Sequence, residues 1–277
     1  MRKLLSANFA RLRKDRFFWC LVAAVIAVSL VNILNSARSF EVMTGSGYEM
    51  ALEDYYFRQA PMMGVFYALF ASLFLGAEYS DGTIRNKLTV GHRRNQVYLA
   101  NFLVCLAASL VFLAAWLVTC SLGFFLIGPM KMGVSGYATY VLIAVGFTAS
   151  LTALFTLIGS LSANKAMTVI YTLGIFLVLL LAGSGIYDRL CEPETLGGMA
   201  YVNGEFVMMD AAPNPLYLSG TLRRVWECVL DFLPTGQALL MNETDITHPL
   251  RELAFSGLFT AAALFAGCAA FRRKDIK

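Results

Sequence analysis

The spacing of charges along this chain leaves few folds open to it. Between successive charged residues lie six charge-free runs, 17–37, 59–77, 95–130, 132–164, 166–187 and 253–271, which together take up 150 of the 277 residues. A helix needs roughly 20 apolar residues to cross about 30 Å of hydrocarbon, so each run holds one span, and even the longest is too short for two spans and a turn. Helices of a soluble core keep charge on at least one face; these runs carry none. Only 14% of the residues are charged, against about 25% in an average soluble protein, and the mean hydropathy is +0.65.

The positions of the charges orient the spans. The N-terminus, the loops after spans two and four, and the C-terminus hold 15 of the 22 Lys and Arg against four acids (Asp15, Glu78, Asp81 and Asp275), a net of +11 that leaves −7 on the other side. Short cytoplasmic loops collect Lys and Arg, so both termini are expected in the cytoplasm. The overall charge of +4 is too small for a nucleic-acid binder. The first run starts at Phe17, has the length of a full span and lacks a small-x-small site near its end, so it reads as a retained span and not as a leader.

The expected fold is an all-α membrane protein, one transmembrane domain over 1–277. Its spans lie at about 17–35, 61–77, 98–127, 137–161, 167–186 and 253–271, with a large outer loop at 188–250 between spans five and six. Residues 1–16 place Leu5, Phe9 and Leu12 one turn apart among basic residues, which predicts an amphipathic helix lying in the inner interface. In the outer loop, Leu222 to Leu233 have helical apolar spacing, suited to resting on the outer interface or packing within the loop. Cys191 and Cys228 fall in that same loop, where an oxidising exterior permits a disulfide. No metal-binding spacing occurs among the cysteines.

Membrane enzymes and ion-coupled carriers depend on ionisable groups at membrane depth, and the six runs contain none. A phosphate loop of the form GxxxxGK[ST] is also missing, so this chain does not bind ATP by that device. What remains is the inner loop 78–101, EYSDGTIRNKLTVGHRRNQVYLAN. Ser80 or Asp81 can cap a helix, Ile84 and Leu88 lie one turn apart, and Gly91 can take a left-handed end position. This predicts a helix of about nine residues, roughly 13 Å long, with an apolar tip and a rim of Arg85, Lys87, Arg93 and Arg94 suited to docking in a groove of a cytoplasmic partner.

Glu78-Tyr79, Gly82-Thr83, Arg85, Leu88, Gly91, Arg94 and Tyr98-Leu99 resemble the inner-loop signature of type-2 permeases of bacterial ATP-binding cassette (ABC) transporters. The segment Phe232 to Gln237 and the ending from Phe271 to Lys277 are also similar to those of bacterial members. His92-Arg93 departs from a common serine-arginine, and Asn101 from a common lysine. The resemblance implies a permease in the bacterial cytoplasmic membrane that pairs with a second permease subunit, identical or similar, and with separate ABC ATPase subunits. Those partners would bind ATP and Mg, leaving this chain without catalysis or cofactor. Residues 80–91 would form the coupling helix, with Glu78, Tyr79, Asp81, Gly82, Thr83, Ile84, Arg85, Lys87, Leu88, Gly91 and Arg94 as the coupling residues. The cargo would be a peptide, lipid or drug-like hydrophobic compound moved outward. A reading from another class is a membrane scaffold or sensor that binds a ligand through the outer loop and moves no cargo.

Overall fold

The computed structural model describes residues 1–47, 51–162, 164–197, 199–202, 205–208 and 212–274. Glu49 of the first outer loop, Ala163 of the inner turn, Asp210 of the large loop and the ending Asp275-Ile276-Lys277 lie outside the described residues. In chain order the helices are α1 (Arg2–Lys14), α2 (Arg16–Gly45), α3 (Glu53–Tyr56), α4 (Ala60–Ser80), α5 (Thr83–Thr89), α6 (Arg94–Cys120) and α7 (Gly123–Leu126). They continue with α8 (Gly133–Leu161), α9 (Lys165–Cys191), α10 (Gly220–Phe232), α11 (Pro234–Asn242) and α12 (Pro249–Arg273). Six of these, α2, α4, α6, α8, α9 and α12, are long and apolar enough to cross a membrane, as the charge-free runs required.

α8 sits at the centre, packed on α4, α6 and α12, while α2 leans on α6 and α9 on α4. Phe18, Phe70 and Phe112 meet with ring centroids 5.5–5.7 Å apart, knitting α2, α4 and α6 together. Where α4 crosses α9 a Cβ on Gly64 would lie 2.1 Å from the Phe176 ring, so only glycine allows that approach. Some polar groups inside the bundle bond to one another, as an environment without water favours: Thr148 donates to the Tyr67 hydroxyl at 3.0 Å and Thr152 to Ser109 at 3.0 Å. Large apolar side chains cover the outside of α2, α9 and α12, among them Val31, Val178, Leu181 and Phe265. An apolar exterior of this extent is the signature of a surface that meets lipid or another apolar partner.

The structure corrects several expectations. α2 runs on to Gly45, ten residues past the expected end of span one, so part of the first loop is helical. α1 buries Leu4, Asn8 and Leu12, not the stripe of Leu5, Phe9 and Leu12, because this face docks against α6. The outer loop carries two short antiparallel pairs, β1 (Thr195–Leu196) with β4 (Ala212–Pro213) and β2 (Met199–Val202) with β3 (Glu205–Met208), a small departure from an all-helical chain. Its helix α10 forms as the spacing predicted, but α11 after it turns back and packs against α4, α8 and α9. Cys191 and Cys228 are free thiols; the Cys228 sulfur accepts a hydrogen bond from Arg251 at 3.6 Å and so faces α12.

Candidate functional site

α1 and the end of α12 meet at one end of the bundle. The last turn of α4 ends there in Glu78, whose side chain has no exposure. Three donors satisfy its carboxylate. Arg11 Nη1 reaches Oε1 at 3.0 Å, Lys87 Nζ reaches the same oxygen, and Asn101 Nδ2 donates to Oε2 at 2.8 Å. Asn8 closes the network by donating to Asn101 Oδ1 at 2.8 Å and accepting from Lys87 at 2.9 Å. Arg11 also donates to the Phe74 carbonyl at 2.8 Å and lies over the Phe74 ring at 4.2 Å from its centroid. One buried charge thereby ties α1, α4, α5 and α6 together. Removing one member of a buried ion pair costs about 3–5 kcal/mol because the other charge is left uncompensated.

Between α4 and α5 the chain reverses at Gly82, whose φ of +67° is a left-handed value that glycine adopts at no steric cost. Gly82 is the N-cap in place of the expected Ser80 or Asp81, so α5 starts late and has seven residues. Thr83 fixes the start by donating to the Glu78 carbonyl at 3.1 Å. Gly91 ends the segment with φ +92°, as its sequence position predicted. Ile84 is buried in a cluster with Leu4, Val97, Tyr98 and Phe271, and Leu88 packs on the same cluster. The expected apolar tip of the helix therefore points into the bundle. The outward face consists of Arg85, Asn86, Thr89 and Val90, the last 77% exposed.

Two more of the expected coupling residues serve a clasp on the C-terminal segment. Tyr79 donates to the Ser160 carbonyl at the end of α8. Lys274 donates to the carbonyls of Ser160 and Ser162 at 2.9 and 3.0 Å, with its ammonium 3.9 Å from the Tyr79 ring centroid. Burial pushes the Lys274 amine down to about 8. Arg94 donates to the carbonyls of Phe271, Arg272 and Lys274, the free acceptors at the end of α12. The expected coupling residues thus divide: Glu78, Tyr79, Ile84, Lys87, Leu88 and Arg94 face protein, whereas Asp81 and Arg85 are exposed. Sequence reading did not assign Asn8, Arg11, Asn101, Asn86, Thr89, Val90 or Lys274 to this site. A signal for the first existed, since an asparagine four residues from both Leu4 and Leu12 interrupts an apolar stripe.

The family model of the ABC-2 family transporter proteins matches residues 4–183, from α1 through four of the six membrane-length helices and most of α9, the fifth. The chain belongs to the ABC-2 transporter family. It is accordingly a multi-pass permease subunit of an ABC transporter, a membrane transport component distinct from the ATPase. No curated protein matches this sequence. Every residue of the Glu78 network in this ABC-2 permease lies inside the matched region, while α10, α11 and α12 lie beyond it.

Proposed function

We propose that this permease is driven by a separate ABC ATPase that docks on the outward face of α5, formed by Arg85, Asn86, Thr89 and Val90. The observation that carries this reading is the division of α5 into two faces: one is anchored to α1, α4 and α6 through Lys87 and Ile84, and the other is free. A push on such a helix is delivered to three elements at once, because a buried charge network holds them in one arrangement. ATP and Mg belong to the partner, and nucleotide acts by binding one arrangement of the complex better than the other.

The remainder of the reading follows the family resemblance and the charge pattern. The end carrying α1, α5 and the C-terminus faces the cytoplasm of a bacterium, with Phe9 and the basic residues of α1 at the lipid interface. A second permease copy or a similar subunit completes the pathway. The cargo is a hydrophobic or amphipathic compound such as a peptide, lipid or drug, moved outward. The apolar faces of α2, α9 and α12 support a path or partner of that character.

The test is copurification from the native host in mild detergent, with ATPase activity assayed in lipid. Wild-type protein should bring down a soluble ATPase carrying a phosphate loop. Arg85→Glu combined with Val90→Asp should lower its recovery at least tenfold with the permease intact. Undiminished recovery would remove α5 as the docking element.

A further inference from the structure

At the opposite end of the bundle, α11 is wedged between the long helices, and its short polar stretch meets the first turn of α12. Gln237, itself wholly buried, donates from Nε2 to the carbonyls of Asp231 and Glu252 at 2.7 and 3.0 Å and accepts at Oε1 from Ser256 at 2.7 Å. Asp231 takes the guanidinium of Arg251. Glu252, next to Arg251, has no exposure, and neither oxygen of its carboxyl has a hydrogen-bond partner among the described residues. Its side chain lies just ahead of the charge-free run that begins at Leu253.

The groups facing this carboxyl come from each element around it. Asp231 stands on α10, with Glu227 one turn away. Asp245 belongs to the segment before α12, where His248 in turn faces Asp231, Arg251 to α12 itself, and Tyr140 to α8. Two of the nearest are acids, and the one nearby guanidinium is already engaged by Asp231. An unpaired carboxylate in such a place costs many kcal/mol, and the group becomes neutral instead. A proton is the one ligand that removes the charge and fits without moving a helix.

We propose that Glu252 is a proton-binding site that links the packing of α11 against α12 to pH: the carboxyl holds a proton while the helices are packed and releases it to water when they separate. The sign follows directly. In the separated state the group ionises above about pH 4.3, the ordinary glutamate value, while the packed state keeps its proton. The packed state is therefore favoured at low pH and loses ground as pH rises, by at most a factor of ten per pH unit for one proton. For a permease that opens at this end, cargo release would answer to the pH outside. That consequence rests on the transport reading; the proton linkage does not.

The experiment is hydrogen exchange of the full chain in lipid nanodiscs between about pH 5 and pH 9, with rates corrected for intrinsic chemistry. Protection over 234–242 and 249–256 should fall with rising pH in the wild type, approaching tenfold per unit. Glu252→Gln should hold it constant, while Asp231→Asn and His248→Gln should leave a pH dependence in place. An unchanged pH dependence in Glu252→Gln, or a flat wild type, would overturn the proposal. Should Glu252→Gln fail to fold, infrared difference spectra of the wild type decide: a protonated-carboxyl band at neutral pH supports the site, and its absence refutes it.

Discussion

Each end of the bundle buries a glutamate completely, and the two are treated in opposite ways. Glu78 receives Arg11, Lys87 and Asn101, while Glu252 has no hydrogen-bond partner among the described residues and its neighbour Arg251 is committed to Asp231. The desolvation cost of a carboxylate is similar in both places. At the first site it is offset by two cations and an amide contributed by three other elements, and that turns four segments into one unit. At the second no partner among the described residues offsets it, and in the proposed packed state a proton removes the charge instead.

The comparison can be broken first by neutralising each glutamate. Glu78→Gln should destabilise the protein by about 3–5 kcal/mol, since two cations lose their partner, and should also reduce any ATPase stimulation, read by thermal unfolding in lipid and by coupled hydrolysis. Glu252→Gln should leave stability at neutral pH unchanged or higher. Equal losses in both variants would erase the distinction. A smaller effect, about 1.5–3 kcal/mol, is expected for Lys87→Ala, which removes hydrogen bonds to Glu78 and Asn8. The Asn101 amide lies 2.8 Å from Glu78 Oε2, within reach of a longer cationic side chain at this position. Adding Asn101→Lys to Lys87→Ala should therefore restore much of the loss, and a double variant no better than the single one would show that the network needs its cation on α5. At the other end, Arg251→Met should cost less than Glu78→Gln. Asp231 is already held above the ordinary carboxylate range by burial against the pull of Arg251, and it can protonate when the arginine is gone.

The six long helices were legible because the cost of a charge in hydrocarbon leaves its mark on every stretch of sequence that enters it. The orientation of α5 was not. Ile84, Leu88 and Val90 are all apolar, and only the cluster formed by Leu4, Val97 and Phe271 decides which of them turn inward. Those residues come from α1, α6 and α12, so no local pattern could identify the buried face. α11 did leave a sign. The charge-free run 232–242 has 11 residues, too short for a span and suited to a segment that enters the bundle and returns. Glu252 was hidden by its position: one residue before the last apolar run it reads as a loop acid, whereas the fold buries its side chain completely.

The smallest effect belongs to the clasp that holds the C-terminal end beside Glu78. Lys274 has an ordinary amine value of 10.5 that falls to about 8 in the docked chain, because burial disfavours its charge. Between those values the undocked segment carries a proton that the docked one lacks, so docking strengthens as pH rises through that window. The side chain is only half-buried, and solvent screening keeps the gain small. A nitroxide on Ala269→Cys, in a variant lacking the other cysteines, should lose mobility between about pH 8 and pH 10.5, and Lys274→Met should abolish the change. Increasing mobility over that range would mean that the cation's contact with the Tyr79 ring, and not its desolvation, governs the clasp.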